Sequence, residues 1–207
     1  MAGHKAFQRF FNKFDQATNH RVFTGLYQWF FQHLQFDNFT LDVDSNIHVR
    51  YGKQEGAKKG YTPKKPGRAS HHPLMAFVSE CKMVANFWLR SGDACTSNNI
   101  EAFLDDTFEK LQGKRIGLFR ADSGFYDKKV FHYLEQKEID YIVAVRLYAP
   151  VQKLVASHRV WMHLSDGIEI GEDLYQSPLW DKPRRIVMIR QHLPTRPKAT
   201  RRVLKLF

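Results

Sequence analysis

Apolar positions fall into different rhythms along the chain. In residues 5–34 they recur at helical intervals, with Phe10, Phe14, Phe23, Leu26, Phe30 and Leu34 spaced by three, four or small multiples of these. One broken helix or two short ones would pack this stripe against the main domain. Residues 41–49 alternate instead. Leu41, Val43, Ile47 and Val49 take one face of a predicted strand, and Asp42, Asp44, Asn46 and His48 the other. Residues 51–73, YGKQEGAKKGYTPKKPGRASHHP, have no period and carry the Gly, Pro and Lys density of a loop.

Residues 74–90 satisfy two patterns. Leu74, Phe77, Val78, Cys81, Ala85, Trp88 and Leu89 fit a helix, while a β-hairpin turning at residues 79–82 also accommodates them. Periodicity alone selects the helix. The clearest helix covers residues 98–111, with the stripe Ile100, Phe103, Leu104, Thr107, Phe108 and Leu111. Asn98 and Glu101 form its expected N-terminal cap, and Gly113 its end. RIGLFR (residues 115–120) and YIVAV (residues 141–145) are short apolar strands around a helix capped by Asp127 and buried through Val130, Phe131 and Leu134. That spacing implies parallel pairing in a layered α/β domain. Residues 150–157 read as a short helix. From Trp161 onward, GIEIGEDLYQS, RRIVMIRQHL and RRVLKLF alternate as antiparallel strands, and the last is expected to be an interrupted one.

With 43% hydrophobic residues, 14% of the chain being aromatic, the sequence belongs to a globular protein and not a disordered one. Lys and Arg number 32 against 21 Asp and Glu, a net charge of +11 that favours a polyanionic partner, most simply nucleic acid. Cys81 and Cys95 are too far apart for a C-x-x-C site and too few for a disulfide framework, so two buried thiols in a reducing cytosol are expected. No apolar run reaches membrane-spanning length, and the N-terminus lacks the apolar core of a signal peptide.

The chemistry centres on two aspartates. Asp44 lies on a strand and Asp122 directly follows another. Adjacent strands would hold two hard oxygen ligands together, suited to Mg²⁺ and in-line displacement at phosphorus. The competing reading of Asp122 is a simple Asx turn before Ser123-Gly124. Lys53, Lys58, Lys59, Lys64, Lys65 and Arg68 are candidates for DNA phosphate contact, salt-sensitive and blind to sequence. Phosphate contact or a turn suits His71-His72 better than zinc, His48 reads as a satisfied strand residue, and Trp88, Trp161 and Trp180 read as packing.

Longer motifs sharpen this. The loop at residues 51–73 follows LDVDS (residues 41–45). With WLRSG (88–92), RADSGFY (120–126), the IDYIVAVRL run from Ile139, RQHLPTRPKA (190–199) and FDQATN from Phe14, it resembles a group of bacterial insertion-sequence transposases of the DDE type (DDE domain group 1). The resemblance implies an α/β, ribonuclease H-like mixed sheet with flanking helices, interrupted by a β-rich insertion. It makes residues 74–90 strands two and three, against the periodicity. It divides the chain into an N-terminal helical segment (1–36), a partial catalytic core (37–148) and the start of the inserted β region (149–207). Asp44 and Asp122 match the first two catalytic, metal-binding aspartates, with Asp42 the runner-up for the first, and the ion implied is Mg²⁺ or Mn²⁺. The family's third carboxylate is a glutamate on a helix beyond the insertion, and none of Glu169, Glu172, Asp173 and Asp181 fits that place. A transposase fragment truncated at both ends is therefore expected, with no cleavage of its own. The family reaction is DNA strand cleavage and transfer at transposon ends. Transposon-end and target DNA, a second copy or the full-length transposase are the implied partners, in a bacterial, nucleoid-associated cytoplasm. Two rivals stand: a non-catalytic DNA-binding remnant, and a nuclease that completes its site with Glu169 or Asp173.

Overall fold

In the computed structural model, which describes residues 3–191 and 205–206, Phe39, Leu41 and Val43 bury one face of β1 (Phe39–Ser45) in the core. Two helices precede it, α1 (His4–Phe11) and α2 (Gln16–His33), the second capped by the Asp15 side chain, which accepts from Thr18 N at 2.7 Å. The face that α2 buries is offset from the expected stripe. Phe31 is fully buried, with Tyr27, Phe30 and Leu34 beside it, whereas Leu26 and Phe10 are about half exposed. Leu26, Tyr27, Trp29, Phe30 and Phe31 surround the helix, so the apolar pattern leaves its inner face undetermined.

The alternating strand does not run through to residue 49. Asn46 Oδ1 accepts the Ile47 amide at 2.8 Å, a local bond that competes with the ladder, and β1 ends at Ser45. The chain then leaves the sheet, so Asn46 and His48 do not share the strand face of the aspartates. What reads as a loop is a folded, antiparallel three-stranded sheet. It consists of β2 (His48–Val49), β3 (Lys58–Lys59) and β4 (Ala69–His71), with β4 in the middle.

Residues 74–90 are a hairpin, β5 (Leu74–Val78) and β6 (Met83–Trp88), turning through Lys82 at φ 55°. The helix that periodicity selects is thereby overturned. Burial goes by twos, through Leu74, Ala76 and Val78. The small Ala76 carries the deciding phase and contributes little to an apolar count.

Helix α3 (Ile100–Leu111) buries Ile100, Phe103, Leu104, Thr107 and Leu111, as its stripe predicts. Its cap differs from the expectation. The left-handed Asn99, φ 58°, precedes the first turn without a side-chain cap, so Asn98 and Glu101 do not form the capping pair. Gln112 and Gly113, both at positive φ, end the helix. Then come β7 (Ile116–Ala121), a 3-10 turn over Ser123–Phe125, α4 (Lys128–Gln136), which Asp127 caps through Lys129 N at 2.8 Å, and β8 (Asp140–Val143).

The main sheet runs β6-β5-β1-β7-β8. Strands β1, β7 and β8 are parallel, and the β5–β6 hairpin adds antiparallel to β1. This is the ribonuclease H-like order. Helix α3 packs on β6 and touches α2 and α4, while α4 lies against β8. A second sheet follows α5 (Ala149–Ser157): β9 (Met162–Ser165), β10 (Ile168–Tyr175), β11 (Arg184–Gln191) and β12 (Lys205–Leu206), antiparallel in the order β12-β11-β10-β9. Its small core is Val151, Ile186 and Met188. The expected strand over residues 201–207 is described only at Lys205–Leu206, and the RQHLPTRPKA motif beyond Gln191 lies outside the described residues. Cys81 and Cys95 are exposed, not buried, because one sits in the β5–β6 turn and the other in the segment before α3. No described helix is long and apolar enough to cross a membrane.

Candidate active site

Parallel pairing of β1 with β7 sets Asp42 opposite Arg120 and Val43 opposite Ala121. The next step along both strands brings Asp44 and Asp122 to neighbouring positions, on chains spaced about 4.8 Å apart. Both side chains are exposed. Each anchors one oxygen to its own backbone: Asp44 Oδ1 accepts Ser45 N at 2.7 Å, and Asp122 Oδ1 accepts Gly124 N at 2.8 Å. Asp122 thus makes the Asx turn foreseen as its bland role, and that turn leaves its second oxygen open. Among the described residues neither carboxylate has an ion-pair partner.

Asp42 is placed differently. Arg120 Nε and an Nη donate to its two oxygens at 2.6 and 2.7 Å, a bidentate pair across the same two strands. The strand face therefore carries one neutralised pair, Asp42 with Arg120, and beyond it the two carboxylates Asp44 and Asp122 at the next positions along the strands. Like charges side by side on adjacent strands are unfavourable without a counter-charge. Two carboxylate oxygens held by rigid backbone suit a hard divalent cation, so Asp44 and Asp122 fit the ion that the motifs imply. Among the described residues no cluster of three or more His, Cys, Asp and Glu forms there. Glu169 pairs with Arg190, Glu172 with Arg185 and Asp173 with His158, all within the second sheet or beside it. Glu169 and Asp173, the two acids of the nuclease reading, are thus engaged with Arg190 and His158.

His71 and His72 are both buried, against the expectation of a turn or a phosphate contact. Arg50 Nε donates to His71 Nδ1 at 3.0 Å, and His71 Nε2 bonds the Glu55 carbonyl at 2.9 Å, which closes the small sheet. His72 bonds the Ala94 carbonyl through Nδ1 at 2.7 Å and Ser45 Oγ through Nε2 at 3.1 Å. Two glycines explain why the pair is buried. A Cβ on Gly60 would overlap the Gly92 carbonyl, so β3 lies tight against the segment after β6. Arg90, buried in the same segment, donates to the carbonyls of His72 (3.0 Å), Cys95 (3.0 Å), Thr96 (3.3 Å) and Asn98 (2.8 Å). Burial lowers its guanidinium to about 10.

All six basic candidates are exposed on or around the small sheet. Lys58 pairs with Asp93 at 3.4 Å. Lys65 donates to the Tyr51 hydroxyl, and Lys65 and Arg68 sit 4.9 and 5.5 Å from the centre of that ring. The Lys65 hydrogen bond pulls the Tyr51 phenol below its ordinary range. Lys53, Lys59 and Lys64 have no ion-pair partner among the described residues. Trp88, Trp161 and Trp180 do pack: Trp88 on Phe103 with Nε1 on Asp106 at 2.6 Å, Trp180 among Tyr126, Phe131 and Tyr175, and Trp161 under Arg190.

Sequence reasoning passed over Arg120, Ser45, Thr96, Arg90 and Tyr51. For Arg120 a signal existed, because Asp42 and Arg120 each stand two residues before a candidate aspartate.

The family described as transposase DDE domain group 1 matches residues 1–201. Among solved structures, the chain is similar to a piggyBac transposase, seen by cryo-EM in a synaptic complex with hairpin DNA. Identity is 14%, the TM-score 0.51, and the match covers 99% of this chain and 40% of that one. At that identity the likeness concerns the fold alone. No curated protein matches the sequence.

Proposed function

The chain belongs to the transposase DDE domain group 1 family, and from that premise we propose that residues 37–148 carry two carboxylates of a DNA-cleaving and strand-transferring site. Residues 1–36 are its helical flank and residues 149–207 belong to a β-rich insertion. Asp44 and Asp122 would hold the divalent cation, Mg²⁺ or Mn²⁺. Such an ion supplies the charge that makes water or a 3′-hydroxyl a better nucleophile and steadies the leaving oxygen. The observation that carries this reading is the β1–β7 register: Arg120 occupies Asp42, and one step beyond the paired Val43 and Ala121 stand Asp44 and Asp122, neither with an ion-pair partner among the described residues.

The chain's own contribution is to position. Ser45 N and Gly124 N fix one oxygen of each carboxylate and so orient the other. The small sheet presents Lys53, Lys58, Lys59, Lys64, Lys65 and Arg68 to the phosphates of DNA. These cations give affinity without sequence information. The sheet hangs directly from the carboxylate strand, through His72 and Ser45. Transposon ends and target DNA are the substrates that the family implies, and a second copy or a longer transposase the protein partner.

Because no third acidic group joins the pair among the described residues, we expect this chain alone to bind DNA without cutting it. The same observation favours the second reading, a DNA-binding remnant that occupies transposon ends. Thermal melting tests the cation site. In EDTA, replacing Asp44 and Asp122 by Asn should raise the melting temperature, since two like charges at neighbouring strand positions are removed. Adding Mn²⁺ should stabilise the unaltered chain and leave the double variant unmoved. Equal stabilisation of both would overturn the assignment. DNA binding that persists in EDTA and in Asp44→Ala, and weakens steeply with salt, separates the basic surface from the carboxylates.

A further inference from the structure

Thr96 lies where the two halves of the carboxylate site meet. Its Oγ1 is 3.3 Å from Ser45 Oγ, on the residue after Asp44. On the other side it packs against Gly124, whose amide anchors Asp122: a Cβ built on Gly124 would lie 3.2 Å from Thr96 Oγ1 and 2.9 Å from Asp122 Oδ1. Those two oxygens are therefore no more than about 6 Å apart.

The direction of the hydrogen bonds follows from one fixed end. Ala94 O can only accept, so His72 Nδ1 carries the proton in their 2.7 Å bond. In the neutral ring Nε2 is then an acceptor, and Ser45 Oγ donates to it at 3.1 Å. With its own proton spent, Ser45 Oγ accepts from Thr96 Oγ1. The Thr96 lone pairs are left to accept from a further donor beside Asp122. Arg90 holds this arrangement from behind, through the carbonyls of His72, Cys95 and Thr96. Its guanidinium is itself buried, with an Nη that has no partner among the described residues.

We propose that Thr96 is a further member of the Asp44–Asp122 site, its hydroxyl aimed by His72 through Ser45 so that it would accept a hydrogen bond from water on the cation those carboxylates would hold. The proposal rests on the reading of Asp44 and Asp122 as cation ligands. It makes Thr96 a contact to the hydrated ion, and Ser45, His72 and Arg90 positioning residues.

Titration of the full chain with Mn²⁺, following the free aquo ion by electron paramagnetic resonance, tests it. The unaltered chain should bind Mn²⁺, and the Asp44→Asn, Asp122→Asn double variant should not. Thr96→Val keeps the branched shape against Gly124 but removes the hydroxyl. It should weaken Mn²⁺ binding about tenfold, the loss typical of groups that orient metal ligands. Thr96→Ser should restore it. His72→Gln should weaken binding in the same sense while Thr96 is present. Should His72→Gln fail to fold, the Thr96 pair decides alone. If Thr96→Val binds as tightly as the unaltered chain while the double aspartate variant does not bind, this proposal falls and the carboxylate reading stands. If the folded, unaltered chain binds no Mn²⁺, both fall.

Discussion

Arg120 distinguishes the two aspartates on one strand face, because it engages Asp42 and not Asp44. Its bidentate bonds to Asp42 leave that carboxylate no free edge. Arg120→Gln should cost only about 1 kcal/mol, because the pair is partly exposed. Its informative effect is on ion binding. In Asp44→Asn, Mn²⁺ should no longer raise the melting temperature; adding Arg120→Gln should return part of that rise by freeing Asp42. No return would show that Asp42 is kept out by its position on the strand and not by its partner. At this scale the sequence was legible where a motif fixed a residue's backbone role. Asp44 and Asp122 each precede a serine and each stand at a strand end, and those positions were legible from the sequence. The Asp42–Arg120 partnership needs the β1–β7 register, which no local pattern carries across 78 residues. The histidines were misjudged for a related reason: their burial depends on Gly60 meeting Gly92, a contact between segments that look like separate loops.

At the scale of elements, β6 and α3 are locked by a polar hub. Asn86, almost fully buried, donates to Asp106 at 2.8 Å and to Thr107 at 3.0 Å, while Lys110 donates to Asn86 Oδ1 and to Asp106, each at 2.7 Å. Burial tends to raise the Asp106 carboxyl, but bonds from Lys110, Asn86 and Trp88 outweigh it and hold the group below its usual range. Asp106→Ala leaves the Lys110 ammonium inside without its charge partner. The expected loss is about 3 kcal/mol, or a fall in melting temperature of about 6–12 °C for a chain of this size, measured by calorimetry. The small basic sheet depends on a different contact. Gly60→Ala would push its Cβ into the Gly92 backbone, so a loss of about 2 kcal/mol is expected, together with weaker DNA binding in a fluorescence anisotropy titration. The helices and the parallel strands were legible because their burial follows one clear period. The hairpin was not, because large residues at 74, 77, 78, 81, 85 and 88 imitate a helix while its inner face is marked by Ala76. The motif resemblance corrected this where periodicity could not.

Across the whole molecule, Glu135 on α4 is a charged tie to the second sheet. Arg184 grips it at 2.8 and 3.0 Å, Lys182 at 3.0 Å and the Tyr141 hydroxyl at 2.8 Å. Burial works against its charged form, but the bonds from Arg184, Tyr141 and Lys182 prevail and hold it at about 2, below the ordinary 4.5. A depressed carboxyl stabilises the fold fully above its unfolded value, and that contribution is lost as pH falls from about 4.5 towards 2. Glu135→Gln should therefore melt earlier at neutral pH and lose less on acidification through that window, as followed by circular dichroism. The antiparallel strands of the second sheet were legible from the change in strand character after residue 146, but this clamp was not, since its partners are 49 residues apart. The interleaved order of the main sheet has one more consequence, and it concerns time. Closing the small basic sheet joins Arg50 to His71 across 21 residues, whereas the Asp42–Arg120 rung must wait for a closure of 78. Distant pairings form more slowly than near ones, so a refolding chain should complete the proposed DNA-binding surface before the proposed cation site.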